Sequence, residues 1–194
     1  MTSLYFVRHA QPDYRSGDNR SFLLSPEGMN DRLKAAAALE NVCFDAAVSS
    51  PYKRSLLTIE PIVSAQGLEL STDERLRERD NPGGTSNSHE MFRRRWADHS
   101  FHEEGGESIG STQRRNIAAV KDILKKYSGR TILVGTHGTA LAAIINYYES
   151  DYGIEQFLRI IDFMPYVLRM DFEDDKYLGR EELFYIKKEF HGIK

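Results

Sequence analysis

The sequence predicts a three-layer α/β sandwich on a mostly parallel central sheet, and three observations carry that prediction. Short apolar runs of β-forming residues stop abruptly at polar residues, helical repeats follow behind serine–proline signals, and the two kinds of segment alternate along most of the chain. Ligands of such sheets sit in the crevice beyond the carboxyl ends of the strands. The polar residues at those stops are therefore the first place to look for chemistry.

Leu4-Tyr5-Phe6-Val7 reads as a buried strand ending at Arg8-His9. The polar stretch from Gln11 to Asn19, with Pro12, Gly17 and Asp18, reads as a loop. Ser25-Pro26 reads as an N-cap followed by proline at the first helical position, and Met29, Leu33, Ala36 and Ala37 keep helical spacing behind it. Phe44 to Val48 is a second strand, Ser49-Ser50-Pro51 a second cap signal, and the helix that follows carries Arg54 in its first turn. Pro61 lacks a backbone donor and is expected to kink or restart that helix, which Gly67 ends. A third apolar stretch, Leu68 to Leu70, leads into the charged segment Asp73 to Asp80.

From Asn81 to Gly106 the periodic core thins, and the stretch reads as an insertion within one domain spanning residues 1–194, with a short helical lid near Glu90 to Asp98. Arg93, Arg94 and Arg95 point in different directions on a helix, so solvated lid charge is their expected role. His99 and His102 can present two ligands on one helix face, but nothing else completes a metal shell. A longer helix from Glu107 to Lys126 follows, closed by Gly129. Arg130 to Gly135 is a strand running straight into Thr136-His137-Gly138, and Thr139 to Tyr148 is an apolar helix. Tyr166 to Phe172 and Glu182 to Phe190 are the expected final strands.

The whole-chain balance narrows the functional classes. Net charge is −3, so no global field favours nucleic acid or an anionic membrane, and a small anion has to be caught by local charge. Cys43 is the sole cysteine, which excludes an intramolecular disulfide and a cysteine-based zinc cluster. The first residues lack the basic and apolar regions of a signal peptide, and no apolar run approaches the roughly 18 residues of a membrane span. A cytoplasmic protein is the expectation.

Arg8-His9 taken alone is an ordinary loop dipeptide, but its chemistry suits a phosphate monoester. A neutral imidazole is a competent nucleophile once its other nitrogen is held by a hydrogen bond. An adjacent guanidinium offers a planar fork matched to phosphate oxygens. His137 stands at a second strand end, and protonated it would stabilise charge on a transferring phosphoryl group. Arg54 opposes the dipole of its own helix, a conflict that a bound oxyanion would resolve.

These segments resemble the histidine phosphatase superfamily, the phosphoglycerate mutase-like proteins. The likeness runs in order through Leu4-Tyr5-Phe6-Val7-Arg8-His9-Ala10, Leu24-Ser25-Pro26-Glu27-Gly28, Ser49-Ser50-Pro51 with Arg54, Gly106-Glu107-Ser108 and Thr136-His137-Gly138. It implies that His9 is the phosphorylated nucleophile and that Arg8, Arg54 and His137 complete the phosphate pocket, with Gln11, Thr136 and Gly138 beside them. Glu78 stands where the family's proton donor usually lies, with Asp80 as the alternative. Ala10 replaces the usual glycine but keeps a carbonyl to orient His9. Gln11-Pro12 replaces the commoner Glu-Thr, and Asp80-Asn81-Pro82-Gly83-Gly84 lacks the usual Trp-Glu-Gly. The implied reaction needs neither metal nor cofactor. Its substrate would be a small phosphorylated metabolite or a phosphoprotein. Phosphatase is the first reading, mutase-type phosphoryl transfer the second, and a non-catalytic phospho-ligand domain the third. Tyr147, Tyr148 and Phe157 are candidates for a homodimer surface.

Overall fold

The computed structural model describes residues 1–82 and 87–189. Its sheet runs β3-β2-β4-β1-β5-β6, from β1 (Thr2–Arg8), β2 (Ala46–Ser49), β3 (Leu70–Thr72), β4 (Thr131–Thr136), β5 (Phe163–Glu173) and β6 (Lys176–Lys187). β1, β2, β3 and β4 pair in parallel; β5 lies antiparallel between β1 and β6. The helices are α1 (Pro26–Ala38), α2 (Lys53–Gln66), α3 (His89–Ala97), α4 (Ile109–Lys126), α5 (Gly138–Tyr148) and α6 (Ile154–Ile160).

The three layers follow from the two-residue period of the strands. Leu4, Phe6, Ile132 and Val134 point to one face and join Ile117, Val120, Leu141 and Ile145 of α4 and α5. Tyr5, Val7 and Leu133 point to the other and join Ala35 of α1, Leu39 just past its end, and Ile59 and Ile62 of α2. Strands buried on both faces are continuously apolar, which is why β1 and β4 are plain in the sequence. Each such side chain contributes roughly 1.5–3 kcal/mol by leaving water.

Ser25 caps α1 as its sequence implies, its hydroxyl accepting from Gly28 N at 3.0 Å behind Pro26. Four other expectations need correction. Pro61 does not restart α2, which is one helix from Lys53 to Gln66. The carbonyl that loses its helical donor is that of Leu57, and Arg32 Nη1 of α1 takes it at 2.7 Å. Ser49-Ser50-Pro51 does not cap α2, whose N-cap is Tyr52; Ser49 belongs to β2 and Ser50 Oγ is turned to His137. α4 starts at Ile109, two residues after Glu107, because the Ser108 hydroxyl accepts from Ser111 N at 3.1 Å and caps it there. The last strand begins at Lys176, six residues before the expected start; it is an edge strand with charge and Gly179 in its first half, so it shows little apolar alternation. The far end of that expectation, Phe190, and the glycines Gly83 and Gly84 lie outside the described residues. α6 had no sequence expectation. Among the described residues no helix is long and apolar enough to cross a membrane.

The segment 81–106 contains α3, and two expectations for its surroundings change. Arg95 is not solvated: its side chain is 1% exposed and its Nε donates to Glu103 Oε1 at 2.8 Å, whereas Arg93 pairs with Glu155 at the surface. Phe157, offered as a contact residue, is 3% exposed and packs against Phe92 and Trp96, so it cannot join a surface; Tyr147 remains exposed.

Candidate functional site

Parallel pairing brings three strand ends level. Arg8 is opposite Thr136, and Val7 and Ser49 both face Gly135. The next residues, His9, His137 and Ser50, therefore emerge side by side above one sheet edge. The imidazole centroids of His9 and His137 lie 5.2 Å apart, close enough to share one oxyanion. Both side chains are buried.

The backbone fixes which ring nitrogen of His9 is available. Nδ1 lies 2.8 Å from Ala10 O. A carbonyl only accepts, so Nδ1 carries the proton and Nε2 the lone pair. The turn is itself held: His9 N donates to Thr136 O at 3.2 Å, and Ala10 N donates to Thr58 Oγ1 of α2 at 2.9 Å. Alanine in place of glycine thus leaves this orienting contact intact.

Arg8 is anchored by an element the sequence did not announce. Its Nη1 and Nη2 donate to the carbonyls of Ile160 and Ile161, at the carboxyl end of α6, at 2.6 and 2.9 Å. Its Nε is buried without a hydrogen-bond partner in the protein. Gly138 makes this placement possible, because a Cβ there would stand 3.0 Å from Arg8 Cζ and Nη2. Arg54, in the first turn of α2, donates Nη1 to Asn19 O and lies 5.0 Å from the centroid of the Tyr52 ring. That ring meets His137 edge-on at 5.1 Å.

His137 has one nitrogen occupied and one not. Nε2 is 2.7 Å from Ser50 Oγ, while Nδ1 is buried with no partner. Burial, Arg54 and His9 hold the His137 ring well below the usual histidine range, and burial with Arg54 and Arg8 does the same to His9. Both imidazoles are neutral in the free pocket near neutral pH. That state suits a nucleophile at residue 9. For His137, the protonated form expected from the sequence requires an anion to offset the surrounding guanidinium charge.

Glu78 joins this group through α5. Its Oε2 accepts from Thr139 N and its Oε1 from Ala140 N, both at 3.0 Å, with Arg79 N adding a third bond at 2.9 Å. The free amides of a helix start draw a carboxylate there, one turn from His137. Asp80 is turned elsewhere. It pairs with Arg77 at 3.0 Å and lines, with Asp18, Asn19, Arg20 and Tyr52, a cleft of about 320 Å³. Tyr52 borders both this cleft and the His137 ring.

Of the other expected residues, Thr136 supplies its carbonyl to His9, and its hydroxyl is buried without a partner. Gln11 contacts Ser25: its carbonyl accepts from Ser25 N at 2.9 Å and its side-chain oxygen lies 3.4 Å from Ser25 Oγ. His99 packs edge-on against Trp96, and His102 Nδ1 lies 3.0 Å from Glu103 O. Among the described residues there is no group of three or more histidine, cysteine or acidic side chains able to hold a metal. Sequence reasoning missed Ser50, Tyr52, the carbonyls of Asn19, Ile160 and Ile161, and Tyr14, which lies within electrostatic reach of Arg8, Arg54 and Glu78. Ser50 was visible as a polar strand end, but its pattern read as a cap. A backbone carbonyl leaves no mark in a sequence.

Fold and site together define an α/β protein in which two strand-end imidazoles lie beside the buried side chains of Arg8 and Arg54 and near a carboxylate held at the start of α5. The chain belongs to the histidine phosphatase superfamily, branch 1, whose family model matches residues 4–178, and it is a phosphoric monoester hydrolase. It is 28% identical over 157 residues to phosphoserine phosphatase 1 of Hydrogenobacter thermophilus, covering 74% of each chain. Its fold matches that of Bacillus stearothermophilus YhfR with a TM-score of 0.75, at 22% identity over 92% of this chain and 95% of that one. It also matches a mutant phosphoserine phosphatase from Entamoeba histolytica in complex with phosphoserine, with a TM-score of 0.74 at 20% identity over 95% and 96% of the two chains.

Proposed function

We propose that the chain hydrolyses small phosphate monoesters through a phosphohistidine on His9, as a single domain in which residues 81–106 form a lid. The supporting observation is the His9 ring: Nδ1 is tied to Ala10 O, leaving Nε2 as the nucleophile, with His137 5.2 Å away. In the first step the Nε2 lone pair attacks phosphorus while the bond to the leaving oxygen breaks. Glu78 gives that oxygen its proton. In the second step water attacks phosphorus, the P–N bond breaks, Glu78 takes the water proton, and orthophosphate leaves. Arg8 Nε, the Arg54 guanidinium and His137 would bear the charge on the equatorial oxygens. Cations and imidazoles supply this without a metal, and the cytoplasm is the compartment the reading implies.

The leaving group would occupy the cleft beside Tyr52 and Asp80. The Hydrogenobacter relative is named for phosphoserine, so small phosphorylated metabolites of that size are the substrate class we assign. The test is orthophosphate release from an aryl phosphate and from phosphoserine, set against transfer between phosphoglycerates. Release with negligible transfer, abolished in His9→Ala, is expected. Transfer that outruns release would make the chain a mutase, and unchanged turnover in His9→Ala would remove the nucleophile.

A further inference from the structure

Glu78 sits in a strip of chain, Arg75 to Asp80, that belongs to neither sheet nor α-helix beyond the short 3-10 turn Glu74–Leu76. A proton donor on irregular backbone needs something to hold that backbone, because an ångström of drift is costly in a transfer step. α5 holds the carboxylate end of the side chain through Thr139 N and Ala140 N. The main chain is held by a different pair.

That pair is Arg115, in the second turn of α4, and Glu107, just before that helix. Arg115 Nη1 donates to the carbonyls of Arg75 and Arg77 at 2.7 and 2.6 Å, and Nη2 donates to the carbonyl of Glu78 itself at 2.9 Å. Its Nε and Nη2 donate to the two oxygens of Glu107, each at 2.8 Å. All five guanidinium donors are thereby spent. Glu107 grips the other side of the strip. Its Oε2 accepts from Asp80 N at 3.0 Å, its carbonyl accepts from Arg79 Nη1 at 2.7 Å, and its own N–H donates to Asp80 O at 3.0 Å. The two side chains are mostly buried, at 13% and 16% exposure. The clamp therefore closes on Glu78 from the residues before it and from the residue two beyond.

We infer that Arg115 and Glu107 are positioning residues for the proton donor, a clamp that aims Glu78 at the leaving oxygen without touching substrate. This rests on the proposed acid role of Glu78. A lysine cannot replace the arginine, because three carbonyls and a carboxylate demand a planar fork. Glu107→Gln keeps the size and one acceptor oxygen but loses the side-on pairing of two charges.

The readout that separates positioning from general damage is the leaving group. Proton donation matters most when the departing oxygen is a poor leaving group, as in an alkyl phosphate such as phosphoserine, and least for p-nitrophenyl phosphate. In Glu107→Gln and Arg115→Lys, kcat/KM for phosphoserine should fall roughly ten- to a hundredfold further than kcat/KM for p-nitrophenyl phosphate, following the selective loss in Glu78→Gln. Circular dichroism and phosphate binding should stay near those of the parent protein in Glu107→Gln, the milder variant. Equal losses on both substrates, or none, in variants that fold while Glu78→Gln remains selective would overturn the clamp alone. An unselective Glu78→Gln would overturn the acid assignment and the clamp with it.

Discussion

The two flanks of the site are built on opposite principles. On the phosphate side, His9, Ser50 and His137 each follow directly from a strand end, and the parallel register alone sets them side by side. On the leaving-group side, Glu78 is carried by irregular chain and is held by Arg115, Glu107 and the start of α5, from 29 to 62 residues further along. A strand end inherits the rigidity of a sheet buried on both faces. A loop has to be tied down by charge-assisted bonds drawn from elsewhere. The first flank is fixed by fold, the second by particular side chains.

The comparison predicts where damage is chemical and where it is structural. Removing Arg54 should cost roughly 10²–10³-fold in kcat/KM, and Arg54→Lys should recover little of it because a point charge cannot reproduce the fork. Thermal unfolding should barely move in Arg54→Lys. A variant that melts early and binds phosphate normally would assign Arg54 to the scaffold instead.

The opposite pattern is expected beneath α3. Arg95→Ala leaves the mostly buried Glu103 with Arg79 as its remaining ionic partner, 3.2 Å away, which costs about 1–3 kcal/mol of stability. Arg93→Ala, two residues away, breaks only an exposed pair with Glu155 and should cost about 0.5 kcal/mol or less. Urea unfolding of the two variants distinguishes them. Equal effects would mean that burial of Arg95 contributes nothing.

A different effect, spread over pH, follows from the paired imidazoles. Unfolded histidines take up protons near pH 6.5, whereas His9 and His137 resist them when folded, their affinity being held well below that value. The unfolded state therefore binds more protons as pH falls below about 6.5. Stability present above that pH is lost below it, by up to about 1.4 kcal/mol per unit for each ring. The carboxylates whose affinity is lowered, such as Asp73 and Glu107, lose their contribution only at more acidic pH. Orthophosphate should flatten the histidine slope, because an anion between the rings favours their charged forms. Unfolding midpoints from pH 7 to 5 with and without phosphate measure both. A flat profile without phosphate would contradict the buried, neutral pair.

The same contrast explains what could be read beforehand. β1, β4 and the residues at their ends were legible because a fully buried strand is an unbroken apolar run and its stop is abrupt. Glu78 was reachable only through resemblance, since Arg75, Arg77, Arg79 and Asp80 around it read as a solvated charge cluster. Arg95 looked like its exposed neighbours, because burial of one arginine in three depends on Glu103 eight residues away. α6 left no signal, yet its last carbonyls anchor Arg8. Pro61 gave no sign that the carbonyl it leaves without a helical donor, that of Leu57, is taken by Arg32 of another helix.

The account depends on covalent chemistry at one imidazole nitrogen. Brief exposure of the protein to substrate, an alkaline quench, and peptide mapping should find one phosphate, stable to base and labile to acid, on His9. The label should vanish on chasing with unlabelled substrate at a rate no slower than turnover. A phosphate found elsewhere, or turnover at full rate with no phosphoenzyme trapped, would contradict it.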